Sequence, residues 1–387
     1  MNVPKLRFKE FNDEWQKKTL KSVSSYFKSG KSIKSNDILK NAPYPVYGGN
    51  GLRGYTNTFN FDGNASLIGR QGALCGNVTY VKGKNYMTEH AVIVQSNYDN
   101  YNKFLFYILL SMNLNQYSTQ SAQPGLSVNN LLELFNYFPN IQEQEKIAKF
   151  LTTVDKKITN LESIITNLEN QKKGLLQQIF SQKLRFKDKN GNNYPNWEKK
   201  KLGDITQSQG GTALEKYTTT NGLYKFISIG NYSTYSTYLD NGIRIDLNNK
   251  TKKQLLSKND LVMILNDKTS SGNIIGRTLL IDKDNTYIYN QRSQRLICNT
   301  KIIIPSFLYF LLNSDFRKNI IKKVQGATQI YINYSTIEVM HLNIPCLEEQ
   351  TKIADFLSAF DRKLENQKAQ LEHWKQIKKG LLQQMFV

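Results

Sequence analysis

The sequence predicts a mixed α/β (α+β) protein in which two similar globular bodies alternate with two long antiparallel coiled-coil helices. Three observations carry that prediction. The first is an internal repeat. Residues 139–180 align without a gap to residues 345–386, at an offset of 350 − 144 = 206, and about 19 of the 42 pairs are identical, far above chance. The second is the period inside each copy. Ile147, Leu151, Val154, Ile158, Leu161, Ile165, Leu168, Leu175 and Ile179 fall at alternating steps of four and three, with Lys172 filling the gap. Ile353, Leu357, Phe360, Leu364, Leu371, Trp374, Leu381 and Met385 repeat the pattern, with Gln367 and Lys378 on the same seam. Such a stripe is a coiled-coil seam, and a polar residue within it fixes register at some cost in stability. The third is a set of short strand-like runs separated by Gly-Asn turns before each helix.

Taken in order, the chain reads as a globular body over 1–140, a helix over 141–182, a second body over 183–345 and a second helix over 346–387. Lys5-Leu6-Arg7-Phe8-Lys9 opens the first body and Lys183-Leu184-Arg185-Phe186-Lys187 the second; Trp15 and Trp197 follow. Strands are expected over 44–47, 65–68, 77–82 and 90–95, then a helix over 104–112. In the second body the same order is expected over 224–229, 260–265, 276–281 and 293–298, with helices over 306–312 and 315–324. A loop rich in Gln and small residues, 120–127, aligns at the same offset with 326–333. Two long apolar seams in one chain bury each other most simply, which makes the helices a spacer. The seam residues assigned to that interface are Ile147, Leu151, Val154, Ile158, Leu168, Leu175, Ile353, Leu357, Phe360, Leu364, Trp374 and Leu381.

The charge points to a partner. With 52 Lys and Arg against 31 Asp and Glu, the 387-residue chain carries +21, and nucleic acid is the default partner for such a surface. Three cysteines lie far apart with no CxxC pair, which gives neither a disulfide framework nor a zinc site. No apolar run is long enough to cross a membrane. A soluble, cytoplasmic protein is expected.

Catalytic signatures are missing. There is no Asn/Asp-Pro-Pro-Tyr/Phe loop to hold a target amine, and no HExxH. Gly30-Lys31-Ser32 resembles the end of a phosphate loop, but Ser25 stands where its first glycine is required. The sequence reads as a recognition protein without chemistry of its own.

These landmarks resemble the specificity (S) subunit of type I restriction–modification enzymes. The resemblance rests on the LRF…W segments, the Gln-rich loops, Pro-x-x-x-Glu-Gln-x-Lys-Ile-Ala at 139–148 and 345–354, and the repeated Gly-Leu-Leu-Gln-Gln ends. The first body adds Tyr47-Gly48-Gly49-Asn50-Gly51 and Ile68-Gly69-Arg70-Gln71-Gly72. It implies two target-recognition domains, each reading half of a bipartite double-stranded DNA site. It also implies two methyltransferase (M) subunits that carry S-adenosylmethionine and methylate adenine N6, and restriction (R) subunits that use ATP and Mg. It implies no catalytic residue, cofactor or metal on this chain. A stand-alone DNA-binding regulator or architectural protein is the other reading.

Base edges are met by Arg or Lys on guanine and by Asn or Gln on adenine; phosphates are met by Lys, Arg, Ser and Thr. On that chemistry the DNA-binding candidates of the first body are Asn50, Arg53, Arg70, Gln71, Gln120 and Gln123. Those of the second are Lys268, Thr269, Asn273, Asn290, Arg292, Arg295, Thr328, Gln329 and Tyr331. Ordinary surface turns use the same residue types.

Overall fold

A computed structural model of the protein describes residues 3–72, 74–118 and 124–387. Its packing divides the chain into two units, Met1–Ser163 with Lys368–Val387, and Ile164–Gln367. Each long helix therefore contributes to both.

In the first unit, Gln16–Thr19 pairs antiparallel with Phe135–Phe138 and ties the leading segment to the end of the body. A four-stranded antiparallel sheet follows in the order Ser24–Ser29, Ala91–Ser96, Ala65–Gly69, Val78–Val81. Ala65–Gly69 is central and buried along its whole length, so its alternation of polar and apolar residues is lost. The second sheet runs Gly51–Thr56, Tyr44–Gly48, Lys84–Met87, Phe61–Asp62, with Val46 and Tyr47 parallel to Tyr86 and Met87. The helix Asn102–Ser111 is apolar nearly all round because it lies inside the core, with Phe104, Leu105, Tyr107, Ile108 and Leu109 fully covered. Each such side chain contributes about 1.5–3 kcal/mol by leaving water.

The second unit repeats this order. Glu198–Lys201 pairs with His341–Ile344. One sheet runs Thr206–Gly210, Ser293–Cys298, Leu261–Ile264, Thr278–Leu280. The other contains Tyr224–Ile227 parallel to Tyr287–Tyr289, and Pro305–Leu312 is its core helix. The expected strands and helices are found with ends shifted by at most three residues, and Ser293–Cys298 lies at its expected bounds. Among the strands the sequence reading did not pick out, Ser24–Ser29, Lys84–Met87 and Thr206–Gly210 are mostly polar and partly exposed.

The long helices cover Ile141–Phe180 and Leu347–Gln384. Asn140 caps the first through a bond from the Glu143 amide at 3.0 Å. Their antiparallel pairing is seen inside each unit. In the first, Asp155 meets Lys378 at 2.7 Å and Glu162 meets Lys375 at 2.9 Å, so one number rises as the other falls. In the second, Lys172 meets Asp361. Lys172 and Lys378 are equivalent polar seam residues, and their partners are also related by 361 − 155 = 206. The polar interruption is thus one ion pair made twice.

The seam needs a correction. Its ends do not form a free-standing coiled coil: Ile147, Ala148 and Leu151 belong to the apolar core of the first unit, together with Met385 and Phe386. Ile353, Ala354, Leu357 and Ile179 belong to the core of the second. Leu175, Phe360, Trp374 and Leu381 are only half-buried. A helix terminus beside a globular body has a larger apolar surface to cover than its partner helix offers, and the body takes it.

A polar latch explains the repeated LRF…W and Glu-Gln motifs. Arg7 grips the buried Glu143 carboxylate through Nε at 2.7 Å and Nη2 at 2.8 Å, and Trp15 Nε1 donates to it at 3.4 Å. Arg185, Glu349 and Trp197 repeat this at 2.7, 2.8 and 3.1 Å. The next residue, Gln144, accepts from the Tyr101 amide and donates to Asn100 and the Pro139 carbonyl. Gln350 accepts from the Ile304 amide and donates to the Ile302 and Pro345 carbonyls. A charged pair with bidentate geometry fixes direction as well as energy. The latches fix how each body joins its helix.

Candidate nucleic-acid interface

In the first unit the hairpin 44–56 is pressed onto the loop that follows Ala65–Gly69. A Cβ at Gly69 would lie 2.1 Å from the Gly49 carbonyl oxygen, so no larger residue fits there. This contact places Asn50, exposed in the hairpin turn, beside Arg70 and Gln71. Arg53 is exposed on Gly51–Thr56, and its Cδ would lie 2.7 Å from a Cβ on Gly48. Arg70 is half-buried: Nη1 donates to Ser29 Oγ at 3.1 Å, while its buried Nε has no hydrogen-bond partner among the described residues. Gln71 is exposed and forms a bridge to Gly125. The Gly72 amide donates to the Pro124 carbonyl at 3.0 Å and the Leu126 amide to the Arg70 carbonyl at 2.8 Å. Asn50, Arg53, Arg70 and Gln71 therefore share one surface with the end of the Gln-rich loop. Gln120 and Gln123 lie outside the described residues.

The second unit builds the same frame. Asn266 and Asp267 pair with Tyr331 and Ile330, and Tyr331 stands at 125 + 206 = 331, the position of Gly125. The Ile332 amide donates to the Leu265 carbonyl at 3.0 Å, as Leu126 does to Arg70. The Leu265 amide donates to the Arg292 carbonyl, as Arg70 does to His90. The Gly276 amide closes the loop on the Ile264 carbonyl at 2.8 Å, as Gly76 does on Gly69 at 2.7 Å. By these bonds Leu265 stands for Arg70 and Asn266 for Gln71. The backbone frame is common and the side chains are different.

Lys268, Thr269 and Asn273 are exposed on this loop, and Thr328, Gln329 and Tyr331 are exposed on the strand and turn that face it. Arg292 is half-buried beside them. Two candidates are corrected. Asn290 is buried, with its amide nitrogen on Glu215 at 2.9 Å and its carbonyl oxygen on the Arg292 amide at 3.1 Å, so both ends are engaged in holding the turn. Arg295 lies on Ser293–Cys298 and pairs with the buried Asp260 at 2.7 Å. Both residues build the scaffold.

Sequence reasoning missed the groups beneath the loops. Asp267 is buried and accepts from the Thr269 amide and hydroxyl, both at 3.0 Å, and from the Ile274 amide at 2.9 Å. The Asp-x-Thr spacing signals such a turn. Asn115 and Arg317 also hold these loops, from distant helical segments, and nothing local marks them.

The family model for the type I restriction modification DNA specificity domain matches residues 12–170 and again 194–373. The chain belongs to this family. A type I restriction enzyme EcoprrI specificity subunit from Escherichia coli is 44% identical over 154 residues, 39% of this chain and 38% of that protein. The MjaVIII specificity subunit from Methanocaldococcus jannaschii is 27% identical over 63% of this chain and 59% of its own length. These alignments thus span less than two thirds of either relative. The crystal structure of a type I restriction-modification S subunit from M. genitalium matches 100% of this chain and 99% of its own, with a TM-score of 0.69 at 19% identity. That likeness is one of fold. The two matched stretches each contain one specificity domain with its loop frame. Among the described residues no group of His, Cys, Asp and Glu is arranged to hold a metal ion, and no helix is long and apolar enough to cross a membrane.

Proposed function

We propose that this chain is the DNA-reading subunit of a type I restriction–modification enzyme. Residues 1–140 and 183–345 act as target-recognition domains, each reading one half of a bipartite site. The paired helices, 141–182 and 346–387, set the interval between the halves and dock the methyltransferase subunits. Those partners supply S-adenosylmethionine and the transfer to adenine N6; restriction subunits supply ATP-dependent cleavage with Mg.

One observation carries the reading. Two loop frames share their hydrogen bonds and differ in the residues they display, Arg70 and Gln71 against Leu265 and Asn266. A common frame with different side chains is what two readers of two different sequences require, because base edges are distinguished by donor and acceptor pattern. The charge of +21 supplies attraction to phosphates for both.

A repeated apolar patch supports docking of two copies of one partner. Leu6 and Phe150 are 41% and 39% exposed, and Phe8 sits edge-on to Phe150 at 5.9 Å. Leu184 and Phe356 are 37% and 39% exposed, with Phe186 at 5.6 Å from Phe356. Patches rimmed by charge on a helix surface mark protein contacts.

The test is co-purification and methyl transfer. The chain alone should transfer no methyl group to DNA, while a stoichiometric complex with the methyltransferase should modify adenine in a bipartite site. Methyl transfer by the isolated chain, or recovery of the chain without a methyltransferase, would favour a different class of protein, the stand-alone regulator included.

A further inference from the structure

The two reading loops differ in length as well as sequence. The closing bonds enclose residues 70–75 in the first unit and 265–275 in the second, six against eleven, so the second loop is 11 − 6 = 5 residues longer. One side chain meets the same point of each. Asn115 Nδ2 donates to the Cys75 carbonyl at 2.8 Å. Arg317 Nε donates to the Ile275 carbonyl at 2.9 Å. Cys75 and Ile275 both immediately precede the closing glycine, so Asn115 and Arg317 hold the same point of the frame. Arg317 then reaches further: its Nη2 donates to the Gly272 carbonyl, inside the additional residues. Arg277 Nε donates to the Asn273 carbonyl at 2.8 Å and its Nη1 to Ser236 Oγ at 3.1 Å.

From this equivalence we infer that Asn115 and Arg317 are positioning residues for sequence reading, each setting the loop of its own unit, with Asp267 and Arg277 completing the hold on the longer loop. The inference rests on the DNA-reading function proposed above.

The energetics favour a role in shape. Arg317 and Arg277 place two like charges close together on neutral oxygens. Burial first, and then repulsion from Arg277, push the Arg317 guanidinium down to about 10, with Asp267 opposing. Burial also lowers Arg277. Buried charges on neutral partners add little net stability. What they supply is direction, since a planar fork donates along fixed lines. Lys268, Thr269 and Asn273 then project from a loop tied at Thr269, Gly272, Asn273, Ile274 and Ile275. A base contact held in advance by its surroundings discriminates better than a mobile one, because ordering is completed before binding.

The experiment uses the assembled complex with its methyltransferase, and reads base preference at each position of the methylated site from a randomised duplex pool. Arg317→Gln should reduce discrimination about ten-fold at bases of the half-site read by the second unit and leave the other half-site unchanged. Asn115→Ala should do the reverse. Arg317→Lys, which keeps the charge but loses the fork, should fall between wild type and Arg317→Gln. If Arg317→Gln does not assemble, Asp267→Asn decides, since it loosens the same loop from within. Unchanged base preference in an assembled variant would overturn the inference, and so would equal loss at both half-sites. A wild-type complex that shows no bipartite preference would overturn the functional reading itself, which separates the two failures.

Discussion

Truncating Arg7 to Ala removes both bonds to Glu143, at 2.7 and 2.8 Å, and leaves a carboxylate whose side chain is 0% exposed. Among the described residues, the Trp15 indole at 3.4 Å stays in reach. Removing one member of a buried ion pair costs about 3–5 kcal/mol, because the other charge remains desolvated. Arg7 itself is 14% exposed, so water enters the vacated space and the lower figure, about 3 kcal/mol, applies. The first unit contains 163 + 20 = 183 residues. For a body of this size 1 kcal/mol moves the midpoint by about 2–4 °C, so Arg7→Ala should lower Tm by about 6–12 °C. The assay is calorimetric unfolding of the purified chain. Arg7→Ala/Glu143→Gln should melt above Arg7→Ala, because the second change removes the stranded charge. Arg185→Ala should produce a similar loss through Glu349. A shift below about 2 °C, or a double variant no more stable than the single, would refute the latch as the attachment of body to helix.

Other expectations follow from the same geometry. Lys103 Nζ lies 3.8 Å from the Phe106 ring and 3.9 Å from the Tyr80 ring, and burial pushes it from 10.5 down to about 8. Since the neutral amine is the nucleophile, its acylation, followed by peptide mass spectrometry, should rise through about pH 8 while exposed lysines lag behind; a midpoint equal to theirs would contradict the burial argument. Inserting one heptad after Ser163 and another after Gln367 keeps both seams in phase and adds about 10 Å of helix. The recognised half-sites should stay the same and the interval between them grow by about three base pairs at ~3.4 Å each; an unchanged interval would remove the helices as its determinant. DNA affinity should fall steeply with salt, with a log–log slope near −0.9 for each phosphate neutralised, and a slope near zero would leave the +21 charge without a role.

The parts of the fold legible in the sequence are those in which a period or a repeat overrides local ambiguity. Heptad spacing gave the two helices, and the 206-residue offset paired Gln144 with Gln350 and Lys172 with Lys378. Short central strands were legible from β-branched runs such as 91–94. The strands Ser24–Ser29 and Thr206–Gly210 were not, because their side chains are mostly polar and their place is set by pairing with Ala91–Ser96 and Ser293–Cys298. The candidate interface was half legible. Arg70 and Gln71 drew notice as candidates because glycines around them announce a close approach, and the structure places both beside the hairpin turn. Asn290 and Arg295 were misread because loop residues of that type serve equally to tie a turn or pair with a buried Asp260. Arg317 was missed because its partners lie 42 and 45 residues away, and only the folded chain brings them together.

The central claim, two readers on one chain, is tested most directly by mapping methylated adenines across the DNA of a host that carries this chain and its methyltransferase, with and without Gln71→Ala. The expected result is a single motif of two short specified sequences around an unspecified interval, with Gln71→Ala relaxing one of the two sequences and leaving the other and the interval intact. A continuous motif, or one substitution altering both halves alike, would contradict it.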